Sequence, residues 1–139
     1  MHTRRRLPFA FVLGLIATLT ACASAPGLSC KSGEQLAIHD ALYFGTGTPT
    51  GVVTAEEWAE FLKNTVTPRF PQGLTVSQAS GEWRSADGTL VQESSHILHL
   101  VHPDDAPSEK NVLELVATYK TRFRQEAVLR VKSPACVSF

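Results

Sequence analysis

The sequence has no surplus of charge of either sign: 13 Lys+Arg stand against 13 Asp+Glu in 139 residues. Generic nucleic-acid binders carry a basic excess, so that class of function is excluded. Cysteine is scarce, at three residues, and no CxxC pair occurs, which leaves a redox or metal-binding cysteine pair without its usual spacing. GxSxG and HExxH are both missing. The stretch Gly45-Thr46-Gly47-Thr48-Pro49-Thr50-Gly51 lacks the GK[ST] ending of a phosphate loop, and Pro49 removes a backbone donor that phosphate would need. It reads as a flexible loop. Repeats of the solenoid kind are absent. The uncharged apolar run from Leu7 to Leu19 falls short of the ~20 residues that cross the hydrocarbon of a bilayer.

What is present suits one domain. The length matches a single unit, and 43% hydrophobic residues suffice for one modest core. With 19% charged residues and scattered aromatics, the chain is not disordered as a whole.

The first residues read as an address. Arg4, Arg5 and Arg6 precede the apolar run, and small residues lead on to Cys22, the pattern of a secretory signal peptide over residues 1–21. Leu19-Thr20-Ala21-Cys22 resembles the bacterial lipobox, in which the cysteine thiol is alkylated by a diacylglycerol and cleavage falls before it. The competing reading is plain secretion with cleavage after Ala23 or Ala25. The lipobox reading makes Cys22 the lipidation site and the membrane a partner through that anchor, since two or more acyl chains hold a protein stably. Ala23 is not the aspartate that resembles an inner-membrane retention signal. The expected location is therefore the cell envelope, on the outer membrane facing the periplasm where there are two membranes. Removing residues 1–21 removes three arginines and no acid, so the balance becomes 10 basic against 13 acidic, or −3. A mildly acidic chain has no electrostatic reason to bind nucleic acid or anionic headgroups.

Two cysteines then remain, Cys30 and Cys136. An even pair outside the cytoplasm is expected to form a disulfide. Closing a loop of about 105 residues stabilises a fold by roughly 4–5 kcal/mol in the chain-entropy model.

Residues 22–33, rich in Ala, Ser, Pro and Gly, read as a tether, and residues 34–139 as the domain. Glu34 to Phe44 alternates as a strand, with Leu36, Ile38, Leu42 and Phe44 on one face despite Asp40 among them. Thr54-Ala55-Glu56-Glu57 is a capping box, and Trp58, Phe61, Leu62 and Val66 follow at helical spacing until Pro68. Leu74 to Trp83 and Leu90 to Val101 read as strands joined by a turn with Asp87-Gly88. A second helix spans about Pro107 to Phe123, with Val112, Leu115, Val116, Tyr119 and Phe123 on one side. Glu126 to Val131 reads as the last strand, closed by Pro134. The order β-α-β-β-α-β predicts an α+β, ferredoxin-like fold: a four-stranded antiparallel sheet with two helices on one face. That topology sets the start of the first strand beside the end of the fourth, which brings Cys30 to Cys136.

His96, His99 and His102 invite a metal reading. In a strand, however, His99 faces away from the other two, which lie about 20 Å apart. No metal site and no cofactor are expected. Glu56, Glu57 and Glu60 belong to a helix start and its solvated face, and Asp104 and Asp105 to a turn. If the apolar rows face the helices, then His39, Tyr43 and His99 lie on the open face of the sheet, with Arg130 or Glu126 joining from the edge strand. Such a set could bind an anion or perform acid–base work. The plainer reading is a dimer interface or a solvated sheet.

The segments Tyr43-Phe44-Gly45, Thr67 to Val76, Trp83-Arg84, Val101 to Asp104, Tyr119-Lys120 and Pro134 to Phe139 together resemble a bacterial family, domain of unknown function 3574. The resemblance implies a short exported or lipid-anchored protein. It brings no activity and no catalytic residue. The expected function is thus a lipid-anchored, non-catalytic binding or envelope-assembly module that dimerises through its open sheet face, with the identity of any other protein partner open. The alternative is a small extracytoplasmic enzyme or small-molecule binder using that face. A flat apolar face favours the first, and a concave pocket where His39, Tyr43 and His99 converge favours the second.

Overall fold

A computed structural model describes residues 28–139. The segment expected to be a signal peptide, the expected lipidation site Cys22 and the first part of the expected tether lie outside the described residues. The main sheet has four antiparallel strands: β1 (Gln35–Gly45), β4 (Thr75–Arg84), β5 (Leu90–His102) and β6 (Leu129–Val137), in the order β4-β5-β1-β6. Two helices, α1 (Ala55–Phe61) and α2 (Ala106–Phe123), cover one face. This is the expected ferredoxin-like arrangement, with β1 in the middle and the β4–β5 hairpin on one side of it.

Side-chain alternation explains which residues meet. Leu42 of β1 lies opposite Leu98, and Phe44 opposite His96. Leu42, Phe44, Leu98 and Leu100 share one buried cluster with Trp58 and Phe61 of the first helix and with Val112, Leu115, Tyr119 and Phe123 of the second. Each such side chain contributes on the order of 1.5–3 kcal/mol by leaving water. Phe44 joins the sheet to the rings of both helices: its ring centroid lies 4.6 Å from that of Tyr119, 5.4 Å from Trp58 and 5.9 Å from Phe61. The Tyr119 hydroxyl, carried into this core, donates to the Gly45 carbonyl at 2.8 Å, so its polar end is not stranded.

The helix ends follow their sequence signals. Thr54 accepts from the Glu57 N–H at 3.2 Å, and the Glu57 carboxylate accepts from the Thr54 N–H at 2.9 Å, the reciprocal box expected at that position. After Phe61 the helix widens into a π-helical turn, Leu62–Val66, with Thr67 N–H bonded to the Leu62 carbonyl. Thr65 and Val66 are buried there, seven and eight residues after Trp58 and so on the same apolar stripe. Asp105 caps α2 by accepting from the Ser108 N–H at 2.8 Å. In the β4–β5 turn, Gly88 takes φ +87°, a conformation that favours glycine.

Two boundaries differ from expectation. The Gly-Thr loop is not wholly irregular, because Gly47–Thr48 (β2) pairs with Gly51–Val52 (β3) as a small ribbon. The last strand starts at Leu129 and runs on through Pro134 to Val137. Pro134 is tolerated because β6 is an edge strand with one unpaired side. At its end Cys136 lies opposite Leu36, and the Cys30–Cys136 disulfide is present, with Cα atoms 5.5 Å apart. The bridge ties the chain just ahead of β1 to the end of β6.

Candidate functional site

The helix-covered face buries a carboxylate. Asp40, on the middle strand, is fully buried among apolar side chains, a costly place for a carboxylate without partners. Arg130, reaching from β6, grips it with Nε at 2.7 Å from Oδ1 and Nη2 at 2.7 Å from Oδ2. The His102 Nε2 lies 2.9 Å from Oδ2, and its Nδ1 lies 2.7 Å from the Pro103 carbonyl. The guanidinium also holds Glu109 of α2, at 2.5 Å and 2.9 Å, and Lys132 reaches the same carboxylate at 2.9 Å. Burial alone would raise the Asp40 pKa, but the hydrogen bonds from Arg130 and His102 outweigh it and hold the carboxyl below its ordinary value. The Arg130 and Lys132 hydrogen bonds hold Glu109 down to about 2. Three strands and a helix are thereby joined through charge-assisted bonds.

This placement corrects one expectation. Arg130 does not join His39, Tyr43 and His99. It lies opposite Leu42 in the β1–β6 register, so its side chain shares the helix-covered face with Asp40. Leu129 and Val131 take the open face instead, 61% and 48% exposed. Glu126 precedes the strand altogether. The ion network itself was not anticipated, although Asp40 standing in an apolar row was its signal.

On the open face, His39 and His99 do meet. His39 Nε2 lies 3.1 Å from His99 Nδ1, with ring centroids 5.3 Å apart and planes 5° from parallel. Those values describe rings lying edge to edge in nearly one plane, as an in-line N–H···N bond requires. Tyr43 is four residues along β1, about 13 Å from His39, and lies opposite Ile97 and Leu129. It lines a shallow cleft of about 190 Å³ with Trp83, Glu93 and Leu129. The three residues therefore share a face without converging on one pocket.

The other histidines have different settings. His96 stacks on Trp58, centroids 4.3 Å apart and planes 5° from parallel, while His102 is bound to Asp40. The group Cys30, Glu34 and Cys136 lies close together, but the sulfurs are joined to each other and are not thiolate ligands.

Around the ion network stands an α+β domain of the ferredoxin-like class, and solved structures share its fold. A phage SAM lyase in complex with S-methyl-5'-thioadenosine superposes with TM-score 0.56 at 15% identity, over 83% of this chain and 97% of that one. CutA from Synechococcus elongatus PCC7942, complexed with a Bis-Tris molecule, gives TM-score 0.50 at 11% identity, over 76% of this chain and 87% of that one. At these identities the likeness is one of fold alone. No curated protein matches the sequence. Residues 39–139 match the family model described as a protein of unknown function, DUF3574, and the chain belongs to that family.

Because the folded-state pKa values of Asp40 and Glu109 lie below those of an unfolded chain, about 4, their contribution is complete above that pH and is lost as acid approaches the folded values. The urea midpoint should decline slightly below about pH 6.5, where the unfolded chain protonates His96 more readily than the fold does, and should then fall more steeply from about pH 4.5 toward pH 2. Glu109→Gln should make that fall shallower in the same titration. An acid limb equally steep in the variant would remove Glu109 from the network's energetics.

Proposed function

We propose that this chain is a lipid-anchored, non-catalytic docking module of the bacterial cell envelope, and that its open sheet face pairs with a second copy. One observation carries the reading, namely the chemistry of that face. Alternation sends to it the odd-numbered residues of all four strands, among them Ala37, Ala41, Ile97, Val101, Leu129 and Val131. Glu93 is the only Asp, Glu, Lys or Arg in these rows. Its carboxylate accepts the Gly47 N–H at 2.8 Å, and a Cβ at Gly45 would collide with it. The face thus spans four strands almost without charge, while the helical side carries the ion pairs.

An uncharged sheet can meet its own copy without like-charge repulsion. Four strands of about nine residues present roughly 30 by 19 Å of surface, on the order of 600 Å² before side-chain relief. A standard interface takes ~800 Å² per partner. The paired histidines satisfy one another at the centre, which lowers the cost of drying them. The acid–base alternative needs convergent groups, and Arg130 is committed to Asp40 and Glu109 on the other side. The lipobox at Leu19 to Cys22, the signal pattern and the −3 charge balance support the envelope reading and give no basis for nucleic-acid binding.

Light scattering of the full chain in detergent should show a dimer at micromolar concentration. Val131→Glu, at an exposed position, should weaken it at least about tenfold by setting carboxylates into the interface, or ~1.4 kcal/mol. A monomer at every concentration would overturn the pairing. Cys22→Ser should abolish labelling by a radioactive fatty acid and release the chain from membranes, and retained label would overturn the anchor.

A further inference from the structure

The β4–β5 hairpin reaches past the helices. On its helix side the residues change from Val76 and Leu98, which pack on the core, to Gln78, Ser80, Ser94 and His96. Facing them is the β2–β3 ribbon with Val52 and Val53, and the start of α1 at Ala55. Between the two walls lies a cleft of about 540 Å³, lined by these residues with Thr46, Ala79 and Ser95, a size typical of small-molecule sites.

The walls are fixed before any ligand arrives. The Thr46 N–H and hydroxyl both donate to the Ser94 carbonyl, at 3.0 and 2.8 Å. The Val53 N–H donates back to the Thr46 carbonyl at 2.8 Å, and Gly47 is bonded to Glu93 of the hairpin. The His96 ring is held flat on buried Trp58. Burial lowers the His96 pKa below its ordinary value, so the ring sits there as a neutral imidazole. Its Nδ1 is covered and has no hydrogen-bond partner among the described residues, unusual for a buried polar atom.

The chemistry of the lining is selective. It contains hydroxyls, a carboxamide and an imidazole on one wall and aliphatic groups on the other, with no charged side chain. An ion would lose its hydration there with nothing to replace it. A pyranose presents hydroxyls at its edge and C–H groups on its faces, which matches both walls. We infer that this cleft, on the side of the molecule away from the open sheet face, binds a neutral sugar. Gln78, Ser80 and Ser94 take its hydroxyls, and Val52 and Ala55 cover its apolar face.

The test is an amide-shift titration by NMR of the full chain in detergent, with glucose and N-acetylglucosamine as probes and sodium acetate and phosphate as ionic controls. Saturable shifts at Gln78, Ser80, Ser94 and His96 with either sugar, and none with the anions, are expected. Ser80→Phe, at an exposed position, fills the cleft and should weaken binding at least tenfold without changing the thermal midpoint. Gln78→Leu keeps the volume and removes the carboxamide, and should weaken binding as well. No shift with either sugar at millimolar concentration would overturn the site, as would equal shifts with the anions or undiminished sugar binding in Ser80→Phe.

Discussion

The carboxylate of Asp40 is the constraint around which the domain is arranged. It sits on the middle strand with no exposure to water, and a charge there persists only if its partners come to it. Arg130 brings the edge strand and His102 the end of the hairpin, while Glu109 draws the first turns of α2 onto the same guanidinium. The apolar cluster around Phe44 supplies most of the favourable free energy and fixes which residues face the helices, but hydrophobic contact is non-directional and sets no point-to-point pairing. A two-point guanidinium contact is not, because both oxygens must be met at once. The ion network thus specifies how β6 and α2 seat on the sheet, and the disulfide secures the same edge from its other end.

This has a consequence for the opposite face. With Arg130 and Lys132 turned toward the helices, β6 gives Leu129, Val131, Ser133 and Ala135 to the open side. The charges gather on the helical side, and a neutral sheet is left free to meet a partner. Stability and the proposed interface are in this way two results of one choice of strand register.

Much of the fold was legible. Strand and helix limits read from alternation and capping fall within a residue or so for β1, β4, β5 and both helix starts, because Thr54, Asp87-Gly88 and the Phe44 row are strong local signals. His39, Tyr43 and His99 fall on the open face as expected, since β1 alternates clearly and β5 is paired with it. Arg130 was misplaced for a definable reason. Leu129 and Val131 are apolar, and placing apolar residues toward the helices turned Arg130 outward. Alternation tells two faces apart but not which one is buried, and on β6 the charged row, Arg130 and Lys132, faces the helices while the apolar row faces out. The bond between His39 and His99 depends on pairing His39 with Val101 and Ala41 with His99, a register that no local pattern supplies. The cleft beside His96 depends likewise on the ribbon folding back over the hairpin, and the Gly-Thr composition suggested only a loop.

The most direct measurement is a double-mutant cycle on the buried pair, with Asp40→Asn, Arg130→Gln and the two combined, followed by urea unfolding at neutral pH. A coupling of about 2–3 kcal/mol is predicted, since Asp40 without Arg130 keeps only His102 against its buried charge, and Arg130 without Asp40 keeps only Glu109. Free energies that add to within ~0.5 kcal/mol would show that the two residues act independently, and would contradict the central role of Asp40.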